Sequence, residues 1–126
     1  MIGYMMFGTN DLLKSSSFYD KVLAPLEILK TDIDESYIGY ANKSSPREVI
    51  FYITKPFDKK KATFGNGTML ALKAKSENIV DECHSISLKN KAINEGFPGI
   101  REGYGDRYYS YIRDLDNNKV CIFSES

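Results

Sequence analysis

One order of elements occurs twice in this chain, and no other feature narrows its fold as far. A short apolar run, a polar cap, a stretch of helical periodicity and a set of β-type runs fill about the first 57 residues. After a polar linker at 58–67 the same order restarts at Thr68 and continues through 68–126. The recurrence lies in element order, not in residue identity, and its period of roughly 60 residues marks an internal duplication. At 126 residues the chain has the size of one domain able to bury its own core, so the two modules are expected to share a single domain.

Within the first module, Ile2 to Phe7 reads as a strand, and Gly8-Thr9-Asn10-Asp11 supplies a helix cap. Leu12, Tyr19, Val22 and Leu23 share one face of a helix that Pro25 stops. Ser15 to Ser17 weaken that helix and have a use only where it lies very close to a sheet. Glu27–Ile33, Tyr37–Tyr40 and Glu48–Thr54, rich in β-branched and aromatic residues, read as three strands. In the second module Thr68–Lys75 is a strand and Ser76 caps a helix predicted to end near Gly96. A Gly/Pro loop from Phe97 to Gly105 and a hairpin follow. In the hairpin, alternation places Tyr109, Tyr111 and Arg113 on one face and Tyr108, Ser110 and Ile112 on the other. The Tyr109 face either orients a carbonyl or carboxylate, or is an aromatic ladder with Arg113 paired to Asp114 or Asp116.

Bulk properties exclude several classes. Seventeen basic residues balance seventeen acidic ones, so no net field gathers a polyanion, and neither nucleic acid nor a membrane surface is an expected partner. Lys59-Lys60-Lys61 stands alone and reads as a solvated loop. The opening apolar run is too short to span a bilayer and lacks a basic leader segment. Cys83 and Cys121 have no metal-type spacing and read as free thiols of a reducing compartment, the cytoplasm by default. There is no phosphate-binding loop, no dinucleotide fingerprint and no Ser-His-Asp order.

In combination, Phe7-Gly-Thr-Asn-Asp-Leu12, Phe18-Tyr19-Asp20 with Val22-Leu23-Ala-Pro-Leu26, Gly65-Asn-Gly-Thr68, and Tyr108 to Asp114 with Asp116-Asn-Asn-Lys119 resemble the vicinal oxygen chelate superfamily. That group includes glyoxalase I, bleomycin-resistance proteins and extradiol dioxygenases. The resemblance implies an α+β fold of two βαβββ modules, with the strands curled into an open cup-like mixed sheet and the helices outside. It implies a ligand inside the cup, commonly beside a divalent metal, and a homodimer.

The metal positions implied by the resemblance fall on Tyr4, Met69 and Cys121, and none is of the usual His, Gln or Glu type. A catalytic zinc takes about three N, S or O ligands, and the chain has one histidine, His84, placed on the second helix. No metal and no cofactor are therefore expected, although Glu48 and Glu102 leave a carboxylate-only site open. By the same resemblance Tyr4, Met6 and Gly8 point into the cup, as do Met69 and Ala71, and then Lys119, Cys121 and Phe123. In the Gly-rich loop, Arg101, Glu102 and Tyr104 either form a lid over the cup or belong to a loop that only turns a corner. Tyr, Met and Cys in place of hard donors suit an apolar or aromatic molecule, or they fill the cup and leave no pocket. His84 reads as structural. Two function classes stay open: a metal-free binder of a small apolar or aromatic compound, and a lyase, isomerase or dioxygenase with a non-standard site.

Overall fold

In the computed structural model, which describes residues 1–125, the duplication is explicit in the strand order. The first module holds β1 (Met5–Gly8), α1 (Leu12–Leu23), β2 (Ile28–Ile33), β3 (Tyr37–Asn42) and β4 (Val49–Thr54). The second holds β5 (Met69–Ala74), α2 (Glu77–Lys89), β6 (Ile93–Ile100), β7 (Tyr108–Arg113) and β8 (Lys119–Ser124). Each module forms its own four-stranded mixed sheet, ordered β1-β4-β3-β2 and β5-β8-β7-β6. In both, the first strand runs parallel to the last and the other pairs are antiparallel. The sheets are open. Ser126, the last residue of the expected second module, lies outside the described residues.

The caps are those the sequence announces. Asp11 accepts from the Lys14 backbone N–H at 3.1 Å, and Ser76 accepts from Ile79 at 3.3 Å. Pro25 ends α1 in a 3₁₀ turn at Ala24–Leu26. Ser15 and Ser16 are buried, and through them the helix comes close enough for the Tyr40 hydroxyl to donate to the Ser16 carbonyl at 3.2 Å. The small side chains thus serve the close approach to the sheet.

Two boundaries differ from expectation. The first strand starts at Met5, not Ile2, where its parallel pairing with β4 begins opposite Phe51. Helix α2 stops at Lys89, not near Gly96. The Asn90 side chain caps the Ile86 carbonyl at 2.8 Å, and Lys91 turns the chain back with a φ of 73°. The segment read as helix end and Gly/Pro loop is therefore the edge strand β6. Pro98 is tolerated there because β6 pairs with β7 alone and bulges twice along it.

A single apolar core unites the modules. Phe18, Val22, Leu23 and Phe51 of the first belong to one cluster with Val80, Cys83, Ile112 and Val120 of the second, and α1 contacts α2. The β7–β8 turn clasps the halves from outside that core. Asp114 Oδ1 accepts from the backbone N–H groups of Asp116 and Asn118, both at 2.9 Å. Its Oδ2 accepts from the Asn118 side chain at 3.1 Å and from the buried Tyr19 hydroxyl of α1 at 2.5 Å. Asn118 also donates to the Gly8 carbonyl at 3.1 Å, and Asp116 accepts from the Asn10 N–H at 2.8 Å. The hairpin motif is a structural clasp, and Asp114 is turned to the core, away from Arg113. Among the described residues no helix is long and apolar enough to cross a membrane.

Candidate functional site

Each sheet buries one face against its helix and leaves the other open, and period-two alternation decides which side chains stand there. On β1, Met5 and Phe7 belong to the core while Met6 is exposed. On β7, Ser110 and Ile112 are buried beneath the helix side, and Tyr109, Tyr111 and Arg113 occupy the open face half-buried. Tyr108, on the helix side, reaches Asp81 of α2 with its hydroxyl at 2.7 Å.

The open face of the second sheet holds a cavity of about 730 Å³ lined by Met69, Arg101, Tyr104, Tyr109, Tyr111 and Lys119, together with Glu95, Gly96 and Glu102. Its floor is aromatic. The rings of Tyr109 and Tyr111 stack 6.0 Å apart and nearly parallel; Phe123 stacks on Tyr109 at 5.5 Å, and Tyr104 meets Tyr109 edge-on at 5.6 Å. Two cations flank Tyr111, the Arg101 guanidinium 5.6 Å and the Lys119 ammonium 5.3 Å from the ring centre. Arg113 does not pair with Asp114 or Asp116 as one reading had it. Its Nε donates to Glu95 Oε1 at 2.6 Å, because Arg113 lies opposite Ile93 on the edge strand and the turn carboxylates face elsewhere. That partner holds the Glu95 carboxyl below its ordinary range.

A second cavity, about 810 Å³, lies on the open face of the first sheet. Tyr4, Tyr52, Asp32, Arg47 and Glu48 line it with the first three residues of the chain. Tyr4 meets Tyr52 edge-on at 4.9 Å, and the Tyr52 hydroxyl donates to Asp32 at 3.1 Å. Tyr52 was readable in advance, since alternation along β4 sets it on the face opposite Phe51 and Ile53. Glu95 and Gly96 were hidden by the misplaced end of α2.

The nine candidate residues therefore divide between the sheets. Tyr4 and Met6 belong to the first open face, Met6 lining neither cavity. Met69, Arg101, Tyr104, Tyr109 and Tyr111 come together in the second, with Phe123 behind Tyr109. Cys121 is fully buried beside Tyr111 and lines neither cavity, and burial pushes its thiol up to about 11. His84 is buried on α2 against Phe97, their ring centres 5.5 Å apart, in a separate groove behind the sheet.

The residues present do not fit a divalent metal. Among the described residues no three His, Cys, Asp or Glu side chains converge to hold one. Tyr4 and Met69 offer a phenol and a thioether, poor ligands for a divalent ion, Cys121 is buried outside both cavities, and Arg101 and Lys119 place positive charge where a cation would sit.

No protein-family model matches the chain, and no curated protein matches it. Solved structures do. A glyoxalase/bleomycin resistance protein from Albidiferax ferrireducens T118 is 33% identical over 98% of both chains, with a TM-score of 0.87. A glyoxalase/bleomycin resistance protein/dioxygenase family enzyme from Burkholderia phytofirmans PsJN is 16% identical, over 98% of this chain and 97% of that one, with a TM-score of 0.75. A fosfomycin resistance protein from Mesorhizobium loti is 13% identical, over 100% of this chain and 92% of its own, with a TM-score of 0.67. The latter two are similar in fold alone.

Proposed function

The chain belongs to the glyoxalase/bleomycin resistance proteins of the vicinal oxygen chelate superfamily, and from that premise we propose that it is a metal-free binder of a small aromatic molecule. The observation that carries this reading is the Tyr109–Tyr111–Phe123 ladder, whose tyrosines border an open cavity of about 730 Å³. That volume is within the usual range for small-ligand sites, and stacked rings favour flat partners. A metal-dependent lyase, isomerase or dioxygenase would need hard or nitrogen donors, and within one chain no three His, Cys, Asp or Glu side chains of the described residues converge.

We further infer a homodimer that completes the cup. Each cavity is lined by one module only, and both open faces expose large apolar groups, among them Tyr4, Met6, Met69 and Tyr104. A second copy that laid its first module over the second would enclose the ligand and cover these side chains. Two buried free thiols support a reducing compartment such as the cytoplasm.

The test is calorimetry with 1-naphthamide on protein dialysed against chelator, repeated with added Ni²⁺ or Zn²⁺, beside a metal analysis of untreated protein. Saturable binding, unchanged by metal, is expected. One bound metal per chain, or lactoylglutathione turnover on adding metal, would overturn the metal-free reading. Light scattering that reports a monomer at micromolar concentration would overturn the dimer.

A further inference from the structure

The open face of the second sheet carries charge as well as rings. We propose that its cavity selects a planar aromatic anion of the aromatic carboxylate class, the carboxylate between Arg101 and Lys119 and the ring against the tyrosine ladder. This rests on the reading of the same cavity as an aromatic binding site and adds the ligand's charge.

Neither Arg101 nor Lys119 has an ion-pair partner among the described residues. Of the two carboxylates in the lining, Glu95 is already taken by Arg113 at 2.6 Å, which leaves Glu102 against two cations. The excess is felt by the neighbours. Arg101 acts to lower the Tyr111 hydroxyl pKa, and Lys119 and Arg101 both act to lower that of the Cys121 thiol, although burial outweighs them at each site.

Arg101 is held for this role. Its Nη2 donates to the Phe97 carbonyl at 2.6 Å, and the guanidinium lies along the backbone of β6 where two residues lack side chains. A Cβ at Gly96 would stand 2.9 Å from Nη2 and 2.9 Å from the Tyr111 ring, and one at Gly99 would stand 3.2 Å from Nη1. The glycines make a bed that fixes the guanidinium beside Tyr111 while most of its N–H donors stay uncommitted. A fixed guanidinium suits the two-oxygen geometry of a carboxylate. A cationic ligand would compete with Arg101 and Lys119 for the Tyr111 ring and would be repelled by both.

Calorimetry on the full chain with three probes of one shape tests the inference: 1-naphthoate, neutral 1-naphthamide and 1-naphthylmethylammonium. Naphthoate should bind at least about tenfold more tightly than naphthamide, the scale of one charge-assisted hydrogen bond, and the ammonium most weakly. In the Arg101→Gln, Lys119→Gln double variant the ratio of naphthoate to naphthamide affinity should fall to about one. Equal affinities for the three probes, or preference for the ammonium, would overturn the anion selectivity and leave the aromatic site standing. Binding of none would overturn both. The wild-type comparison decides between these outcomes even where the double variant does not fold.

Discussion

Tyr19→Phe isolates the bond that joins the two modules. The substitution keeps the ring and its contacts with Phe18 at 5.1 Å and Phe51 at 5.0 Å, and removes only the hydroxyl that donates to Asp114. Burial and the adjacent carboxylate raise the Tyr19 pKa well above its ordinary 10.0, so the group is a donor at all working pH. Burial also raises Asp114 above its ordinary 3.8, and the Tyr19 hydrogen bond opposes that rise. Losing a hydrogen bond to a buried charged group costs about 1.5–3 kcal/mol. For 126 residues at roughly 2.1 cal/mol/K each, the melting point should fall by about 6–11 °C. The pH dependence is the sharper test. The bond stabilises the ionised carboxylate, so its contribution is present near neutrality and is lost as pH falls through the elevated Asp114 pKa. Urea unfolding of wild type and variant, at neutral pH and again just above the ordinary carboxylate value of 3.8, should show the gap narrowing. A gap below about 0.5 kcal/mol at neutral pH, smaller than any such bond, would refute the reasoning. So would a gap that widens on acidification.

Three other sites give separate tests. Both ring nitrogens of His84 lack hydrogen-bond partners, and burial, joined by a smaller push from Arg101, lowers its pKa below the ordinary 6.5 against a weaker opposing pull from Asp81. The unfolded chain therefore binds more protons as pH drops below 6.5, and stability should fall through that window. His84→Leu should flatten this part of the profile in urea titrations from neutral to mildly acidic pH. Cys83 and Cys121 are fully buried, with thiols pushed up to about 12 and about 11, so dithionitrobenzoate should leave native protein unmodified and label both in guanidinium chloride. Gly96→Ala places a methyl 2.9 Å from the Tyr111 ring; it should cost about 1–3 kcal/mol in urea unfolding and reduce the naphthoate preference by displacing Arg101.

The parts of this protein legible in its sequence are those set by neighbours along the chain. Caps at Asp11 and Ser76, the stop at Pro25, and the alternation of Tyr109, Tyr111 and Arg113 against Ser110 and Ile112 are local effects, and the structure repeats them. From such local units in the same order twice, the paired βαβββ architecture follows. Strand β6 escaped because its residues, INEGFPGI, have poor strand propensity; it exists through pairing with β7, a partner distant in sequence.

Tertiary structure alone decided what the side chains are for. Asp114, read from the hairpin as a possible partner of Arg113, serves instead as the clasp, since its carboxylate finds Tyr19 across 95 residues of chain. Cys121 is buried and lines neither open-face cavity, and Arg101 acquires its place only because Gly96 and Gly99 leave room on an edge strand. Periodicity states which face a side chain takes, because successive residues of a strand point to opposite sides. What stands on the other side of that face depends on packing between distant segments, and no local pattern encodes it.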